Sequence, residues 1–163
     1  MMNKDIRKQL NDYFATINVD GITIIDWCSG RKKAENHIKH KNCKIISVDR
    51  LAQRTPTIVA DICQPITIEL ADMAFLTEAL EHCVDDNMAL DNVYNNLKDG
   101  GVAIISVPEK CKRHGWNDVG DFRRYTREQI RSLLENHKFK ILEDYELRFD
   151  EADRLGYLLK VQK

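Results

Sequence analysis

The sequence predicts an α/β fold built on one mainly parallel β-sheet, and three observations support this prediction. The chain has 163 residues, of which 43% are hydrophobic and 31% charged, and this suits one folded domain spanning residues 1–163 with an apolar core. Short apolar runs alternate with segments of helical periodicity, as in sheets whose parallel strands are joined by helices. The last forty or so residues alternate apolar and charged positions, which is typical of antiparallel strands.

The first predicted element is a helix within residues 1–20. Ile6, Leu10, Phe14 and Ile17 recur at the spacing of a single helix face. This helix precedes the first apolar run and therefore lies ahead of the first strand.

Five apolar runs predict the buried strands. Runs of four to six residues suit strands better than helices, and most of these are rich in β-branched residues. Only about a dozen residues, including Pro65, separate Asp61 from Asp72, which is short for a crossover helix. We therefore expect a loop or a single turn there. The five runs are 22–25, 44–48, 57–60, 72–76 and 102–107.

Capping residues predict two further helices, which complete a sheet with helices on both faces. The first helix follows the N-cap candidates Asp85 and Asp86 and precedes a predicted stop at 100–101. The second begins after Thr126, which together with Gln129 has the spacing of a capping box.

Two C-terminal strands are predicted to form an antiparallel hairpin at one edge of the sheet. A charged turn at 150–153 joins them, and the run 156–161 forms the second strand. With the five earlier runs, the sheet has seven strands. The apolar positions of the first strand are Phe139, Ile141, Tyr145, Leu147 and Phe149.

Charge and cysteine usage exclude several classes of protein. The 25 basic and 26 acidic residues nearly balance, so a general nucleic-acid binder is not expected. No apolar run approaches the roughly 20 residues of a membrane span, and the start of the chain is not that of a signal peptide. The cysteines are odd in number, widely spaced and never arranged as C-x-x-C, which argues against a structural metal and a disulfide framework. These features predict reduced thiols in a cytoplasmic protein. The cysteines are residues 28, 43, 63, 83 and 111.

Three strands in succession end in an acid: Asp26, Asp49 and Asp61. Ligands of parallel sheets bind beyond the carboxyl ends of the strands, and carboxylates there accept hydrogen bonds. The aspartates therefore indicate a ligand with several donors, although a helix N-cap is the alternative role for each. Asp49 follows Asp26 by 23 positions, near the ~20-residue offset of ribose-binding acids. The glycine fingerprints of dinucleotide and triphosphate sites are absent from the turn after Asp26.

Six segments, in the same order as in the family, resemble the class I S-adenosylmethionine-dependent methyltransferases. The resemblance implies a Rossmann-like fold, S-adenosylmethionine as cofactor, and transfer of its sulfonium methyl group by in-line attack of a small-molecule or carrier-linked acceptor. The alternative is a protein of the same fold that binds partners without turnover. The segments are IIDWCSG, SVDR, VADIC, ADMAFLTEALEHCVDD, NNLKDGGVAIISVPE and GDFRRYTREQIRSLLENHKFKILE.

The resemblance implies which residues hold the methionine end of the cofactor. Asp26 would bind the ammonium group, and the backbone amides of Cys28, Ser29 and Gly30 would face the carboxylate. Cys28 and Lys32 occupy positions where the family has glycine. We expect binding to persist if residue 28 keeps a negative φ, and Lys32 to point outward from the first turn of a helix.

The resemblance also implies the residues at the adenosine end. Asp49, with Arg50 beside it, would accept both ribose hydroxyls. Asp61 and the Ile62 amide would bind the adenine edge. The floor of the site after the fourth strand would be lined by Thr77 and Glu78.

On the acceptor side, His82 is the candidate general base, with a structural histidine as the alternative. The acceptor would contact residues of the loop 109–125. A lid over the site would come from this loop, from the N-terminal helix or from a second subunit of a homodimer. Arg123 and Arg124 favour an anionic group on the acceptor, although pairing with Asp121 or Glu128 is an alternative for one of them. The candidate contacts are His114, Trp116, Arg123, Arg124 and Tyr125.

Overall fold

The computed structural model describes residues 6–110, 120, 122–148 and 155–163. The described residues form four α-helices and nine strands. The helices are α1 (Ile6–Thr16), α2 (Lys33–His37), α3 (Asp86–Asn95) and α4 (Arg127–Asn136). The strands are β1 (Asn18–Asp20), β2 (Thr23–Trp27), β3 (Lys39–Lys41), β4 (Lys44–Asp49), β5 (Ile58–Val59), β6 (Ala71–Thr77), β7 (Leu97–Lys110), β8 (Lys140–Arg148) and β9 (Leu155–Gln162).

Seven of these strands form the main sheet, in the order β5–β4–β2–β6–β7–β9–β8. The strands from β5 to β7 pair in parallel, and β9 pairs antiparallel with both β7 and β8. The predicted fold class is therefore confirmed, including the antiparallel hairpin at the sheet edge. The predicted turn at 150–153 lies outside the described residues.

A second, two-stranded sheet joins β1 and β3 in parallel. This sheet was not predicted from the sequence. Each strand has only three residues, and all three residues of β3 are exposed. Strands this short and polar lack the apolar pattern by which a buried strand is recognised.

The main sheet has an apolar layer on each face. Neighbouring residues of a strand point to opposite faces, so Ile24 and Ile25 of β2 belong to different layers. Ile24 packs in the layer that α1 covers with Leu10 and Phe14. Ile25 packs in the layer that contains residues of α3 and α4. Helices on both faces thus follow from the alternation of apolar side chains along the strands.

The two capping predictions are confirmed. Asp85 accepts a hydrogen bond from the Met88 amide at 2.9 Å and begins α3. Thr126 and Gln129 form a capping box at the start of α4, with bonds of 3.2 and 2.9 Å. The end of α3 lies at Asn95, before the predicted stop at 100–101, because β7 begins to pair with β6 at Leu97.

An irregular segment, residues 62–68, takes the place of a crossover helix between β5 and β6, and we call it the strap. The prediction of a loop or single turn between Asp61 and Asp72 is confirmed, since residues 61–64 form a turn and the rest is irregular. Two buried asparagines, Asn92 and Asn96, hydrogen-bond to the strap.

Within the described part of the chain, none of the helices combines the length and apolar character required to cross a membrane.

Candidate functional site

A cleft of about 490 Å³ lies beyond the carboxyl ends of β2, β4 and β6. The parallel register brings these strand ends to one edge of the sheet, where ligands of such sheets bind. The structure thus gathers the predicted cofactor residues, and His82 with them, around one cleft. Its lining includes Asp26, Cys28, Ser29, Gly30, Asp49, Arg50, Asp61, Ile62, Thr77, Glu78 and His82.

Asp26 is a buried carboxylate on the cleft wall. Only 3% of the residue is exposed, and within the described chain its Oδ2 has no hydrogen-bond partner. Its pKa is raised to about 7, mainly by burial and then by the charges of Glu35 and Asp49, while the charge of Lys32 acts in the opposite direction. A buried acceptor without a partner is costly unless a ligand donates to it. The position therefore fits a cationic N–H donor.

The turn after β2 follows a backbone path that favours glycine. Cys28, Gly30 and Lys32 have φ of 53°, 52° and 55°. Residue 28 therefore does not have the negative φ on which cofactor binding was expected to depend. The amide of Ser29 donates to Val48 O at 3.0 Å and that of Lys32 to Ser29 O at 2.7 Å, and these bonds hold the turn tight. The backbone is thus left-handed at Cys28 and Lys32 although both residues carry side chains.

Lys32 is therefore not a residue of the first helical turn, as was expected, but the left-handed N-cap residue of α2. A left-handed residue with a side chain costs roughly 1–2 kcal/mol. Cys83 also lines the cleft, and its thiol donates to Ala79 O at 3.5 Å.

Asp49 is held in place by two backbone amides. Gly30 donates to its Oδ2 at 2.8 Å, and Leu51 donates to its Oδ1 at 2.9 Å. A carboxylate offers about four acceptor positions, so two remain for a ligand. The Ser29 and Gly30 amides, which were expected to face a ligand carboxylate, instead donate to Val48 O and Asp49 Oδ2, whereas the Ser29 hydroxyl is open to such a group. This buried oxygen has no partner in the described part of the chain.

Asp61 and Ile62 form the far side of the cleft, in a turn that follows β5. The Asp61 Oδ1 accepts from the Cys63 amide at 2.9 Å, and its carbonyl accepts from Gln64 at 2.9 Å. Asp61 is exposed, whereas Ile62 is buried in the core. The turn thus presents a fixed carboxylate to the solvent side of the cleft.

Thr77 and Glu78 end β6 at the base of the cleft. Glu78 has a φ of 50°, and its amide bonds to the carbonyl and the hydroxyl of Ser106, each at 3.1 Å. The Ser106 hydroxyl also donates to Glu78 Oε1 at 3.1 Å. Sequence reasoning missed Ser106 because it lies inside an apolar run and not at a strand end.

His82 lines the cleft from the short 3₁₀ helix Leu80–His82. Its Nδ1 lies 2.9 Å from Gly120 O. A carbonyl only accepts, so this contact assigns the proton to Nδ1 and leaves Nε2 as the basic nitrogen. The Nε2 lies 3.7 Å from Oε1 of the fully buried Glu81.

The structure places Arg123 and Tyr125 against the start of α3. Arg123 pairs with Asp86 Oδ1 at 2.7 Å and donates to Val84 O at 3.1 Å. Tyr125 is buried and donates to Asp86 Oδ2 at 3.0 Å, and burial together with the Asp86 charge raises its pKa. Arg124 donates to Arg123 O. In the described part of the chain, none of these three predicted acceptor contacts lines the cleft.

The other predicted acceptor contacts, His114 and Trp116, lie outside the described residues, as does most of the loop 109–125.

Sequence reasoning missed most of the basic residues of the cleft. Of the described residues, four arginines line it, and only Arg50 had been predicted. Arg54 could have been predicted because it follows the end of β4 closely, as Arg50 does. Arg7 lies on α1, far from the strand ends in sequence. The four are Arg7, Arg31, Arg50 and Arg54.

Comparison with known proteins identifies the family. A family model described as a methyltransferase domain matches residues 2–144. No curated protein sequence matches the chain.

Solved structures share the fold at low sequence identity. One is the 1,6-didemethyltoxoflavin N1-methyltransferase of Burkholderia thailandensis, crystallised with 1,6-didemethyltoxoflavin and S-adenosylhomocysteine. Its sequence is 15% identical to this chain and the TM-score is 0.71, and the match covers 98% of this chain and 79% of that chain. The N-methyltransferase NodS of Bradyrhizobium japonicum WM9, in complex with S-adenosylhomocysteine, is 18% identical with a TM-score of 0.70, over 98% and 88%.

The [4+2]-cyclase SpnF has the same fold, with 14% identity and a TM-score of 0.73 over 95% of this chain and 80% of that chain. Structural similarity at such low sequence identity establishes the fold. The family is assigned by the match to the family model. Since that model matches most of the chain, this chain belongs to the methyltransferase domain family and is an S-adenosylmethionine-dependent methyltransferase.

Proposed function

We propose that the chain transfers a methyl group from S-adenosylmethionine to a small-molecule or carrier-linked acceptor. The observation that carries this proposal is the buried Asp26 carboxylate, whose Oδ2 has no partner within the described chain, beside Asp49 and Asp61 at neighbouring strand ends. The cofactor offers an ammonium group, two ribose hydroxyls and an adenine amino group, which are the donors that these three acceptors require.

The residues of the cleft fit the cofactor in one orientation. Asp26 would bind the ammonium group and the Ser29 hydroxyl the carboxylate. Asp49 would accept the ribose hydroxyls with the two acceptor positions that Gly30 and Leu51 leave open. Asp61 and the Ile62 amide would bind the adenine edge. When bound, the cofactor supplies an electrophilic methyl group on a sulfonium.

The chain's own part in the reaction is alignment and proton transfer. Methyl transfer needs the acceptor atom held about 3 Å from the methyl group and in line with the bond that breaks. An oxygen or nitrogen acceptor must also lose a proton, and His82 Nε2 is the group that would take it. The Gly120 carbonyl fixes the tautomer, and Glu81 stabilises the resulting imidazolium.

A small acceptor is supported by the Burkholderia thailandensis structure, which holds 1,6-didemethyltoxoflavin. An anionic group on the acceptor is supported by the exposed side chains of Arg31 and Arg54 on the cleft. Arg123 is a weaker candidate for this role because it pairs with Asp86.

Two further parts of the proposal rest on other features. A homodimer is supported by exposed apolar side chains, Leu142 and Tyr145, on the edge strand β8. A cytoplasmic location is supported by the free thiols of the four described cysteines.

Titration calorimetry with S-adenosylhomocysteine tests the proposal. The wild-type protein should bind, and Asp49→Ala should weaken binding more than tenfold because two charge-assisted hydrogen bonds are lost. Asp72→Ala is the matched control, since Asp72 bonds to Lys98 and the Thr23 amide at the opposite ends of the strands. No binding heat from folded wild-type protein at millimolar ligand would contradict the proposal, and unchanged affinity in Asp49→Ala would contradict the placement of the ribose.

A further inference from the structure

The strap is attached to the fold by the side chain of Asn92. The Asn92 Nδ2 donates to Ile62 O and to Gln64 O, each at 2.7 Å. Its Oδ1 accepts from the Ile66 amide at 2.9 Å. Asn92 lies on α3, far from the strap in sequence, and is 4% exposed. One buried carboxamide thus satisfies three backbone groups of the strap.

Only a primary amide meets this requirement at that position. A carboxamide has two N–H donors and one carbonyl acceptor, and all three functions are used here. Aspartate would keep the acceptor but lose both donors, and an apolar side chain would leave three backbone groups without partners. Asn96 repeats the pattern one helical turn later, with bonds of 2.9 Å to Ile66 O and from the Ile68 amide.

The Asn92 contact reaches the cleft through a single peptide group. The carbonyl of Ile62 and the amide of Cys63 belong to the same planar unit. Asn92 holds the carbonyl end, and the amide end donates to Asp61 Oδ1 at 2.9 Å. The position of the Asn92 side chain therefore fixes this peptide group, and the peptide group in turn fixes the Asp61 carboxylate through Oδ1. The other oxygen of Asp61, Oδ2, does not bind the Cys63 amide.

We propose that Asn92 is a positioning residue that orients Asp61 toward the adenine amino group. This inference rests on the proposed function, in which Asp61 and Ile62 bind the adenine edge. Asn92 would contact neither the cofactor nor the acceptor. It would act on Asp61 through the peptide group between Ile62 and Cys63.

The test compares the binding of S-adenosylhomocysteine and S-inosylhomocysteine, in which a carbonyl replaces the adenine amino group. Wild-type protein should prefer the adenine ligand by at least about tenfold, because a carboxylate repels the carbonyl. Asn92→Ala should reduce this preference to less than about threefold, since Asp61 is no longer held. Both affinities are measured by calorimetry at 10 °C, after circular dichroism has established that each variant is folded.

Asn96→Ala is the matched control. It removes a carboxamide of similar burial that holds the strap from Ile66 onward, and the adenine preference should stay within about twofold of the wild type. Asn92→Ser, which changes the side chain less, provides a second variant with the same expected direction.

Three results would overturn the inference. An adenine preference that both Asn92 variants retain would mean that Asp61 is oriented without Asn92. Equal losses of affinity for both ligands, with an unchanged ratio, would mean that Asn92 has only a structural role. Equal affinity of the wild-type protein for the two ligands would overturn the adenine placement itself, and the inference with it.

Discussion

Asp26 is the residue whose chemistry depends most on its surroundings. The raised pKa reflects burial first, and then the nearby charges of Glu35 and Asp49. A carboxyl group with a pKa of about 7 is half protonated at neutral pH. A cationic ligand that pairs with it must shift this equilibrium toward the ionised form.

The pH dependence of cofactor binding should therefore report on Asp26. As the pH rises from 6 to 8, the affinity for S-adenosylhomocysteine should increase, and binding near pH 7 should release a proton. Without ligand, the folded chain retains a proton that the unfolded chain has lost between about pH 4 and 7, so the free energy of unfolding should fall as the pH rises through this range.

Calorimetry in buffers of different ionisation enthalpy measures the released proton. Asp26→Asn is the control, because its side chain does not titrate in this range, and its weaker binding should depend less on pH. An equally steep pH profile in the wild-type protein and in Asp26→Asn would show that another group is responsible.

Cys28 and Lys32 carry backbone strain that glycine would relieve. Each has a left-handed φ, and Cys28→Gly and Lys32→Gly should each raise the free energy of unfolding by about 1 kcal/mol, as measured in urea. Lys41→Gly is the control, since this exposed strand residue has no positive φ and its replacement should destabilise the fold by roughly 0.5–1 kcal/mol. Destabilisation by both turn substitutions would contradict the strain argument.

At the residue scale, the sequence predicted which side chains line the cleft better than it predicted the backbone angles of the turn after β2. Asp26, Asp49 and Asp61 were identifiable because the ends of parallel strands meet at one edge of a sheet. The left-handed φ of Cys28 was not, because the residue type favours the opposite region. The position of Arg7 on the cleft depends on packing between α1 and the sheet, which no local pattern records.

Among the elements, α4 was the easiest to predict, because its start is encoded locally. The capping box satisfies the Thr126 and Gln129 amides with side chains only three residues apart. The strap, in contrast, is held by Asn92 on α3 and by Asn96, the residue directly after α3, both distant from it in sequence. Its loop character could be predicted from the short connection, whereas its attachment could not.

Removing the cap should weaken the fold by a defined amount. Thr126→Ala should lower the free energy of unfolding by about 1 kcal/mol, because the Gln129 amide loses its acceptor. Thr16→Ala is the matched control, since the Thr16 hydroxyl bonds only to a carbonyl within its own exposed helix end, and its loss should cost less than about 0.5 kcal/mol. Equal effects in urea denaturation would mean that the cap adds nothing to stability.

For the whole molecule, the cofactor should act as a stabilising ligand. Binding to the folded state alone at 100 times the dissociation constant adds about 2.7 kcal/mol. For a chain of this size, the melting temperature should then rise by roughly 5–10 °C, as measured by differential scanning calorimetry. Methionine alone is the control and should cause a much smaller rise at the same concentration. No rise with S-adenosylhomocysteine would contradict a cleft that binds only in the folded state.

At the scale of the whole molecule, the sheet was predicted correctly from the sequence, whereas the methyl acceptor could not be identified. Strand type and the C-terminal hairpin follow from periodicity, and the family follows from six short segments in order. Under the proposed function, the acceptor would be selected by side chains from different parts of the chain that meet on the cleft, such as Arg31 and Arg54. Their meeting depends on tertiary packing, so composition and spacing leave the acceptor undefined.

The position of β9 has a consequence for synthesis of the protein on the ribosome. Of the described strands, β9 is translated last, yet it lies between β7 and β8. While β9 is still inside the exit tunnel, β7 has a bare edge and β8 has no neighbour. We therefore expect the nascent chain to remain susceptible to protease until β9 has emerged and paired with β7 and β8.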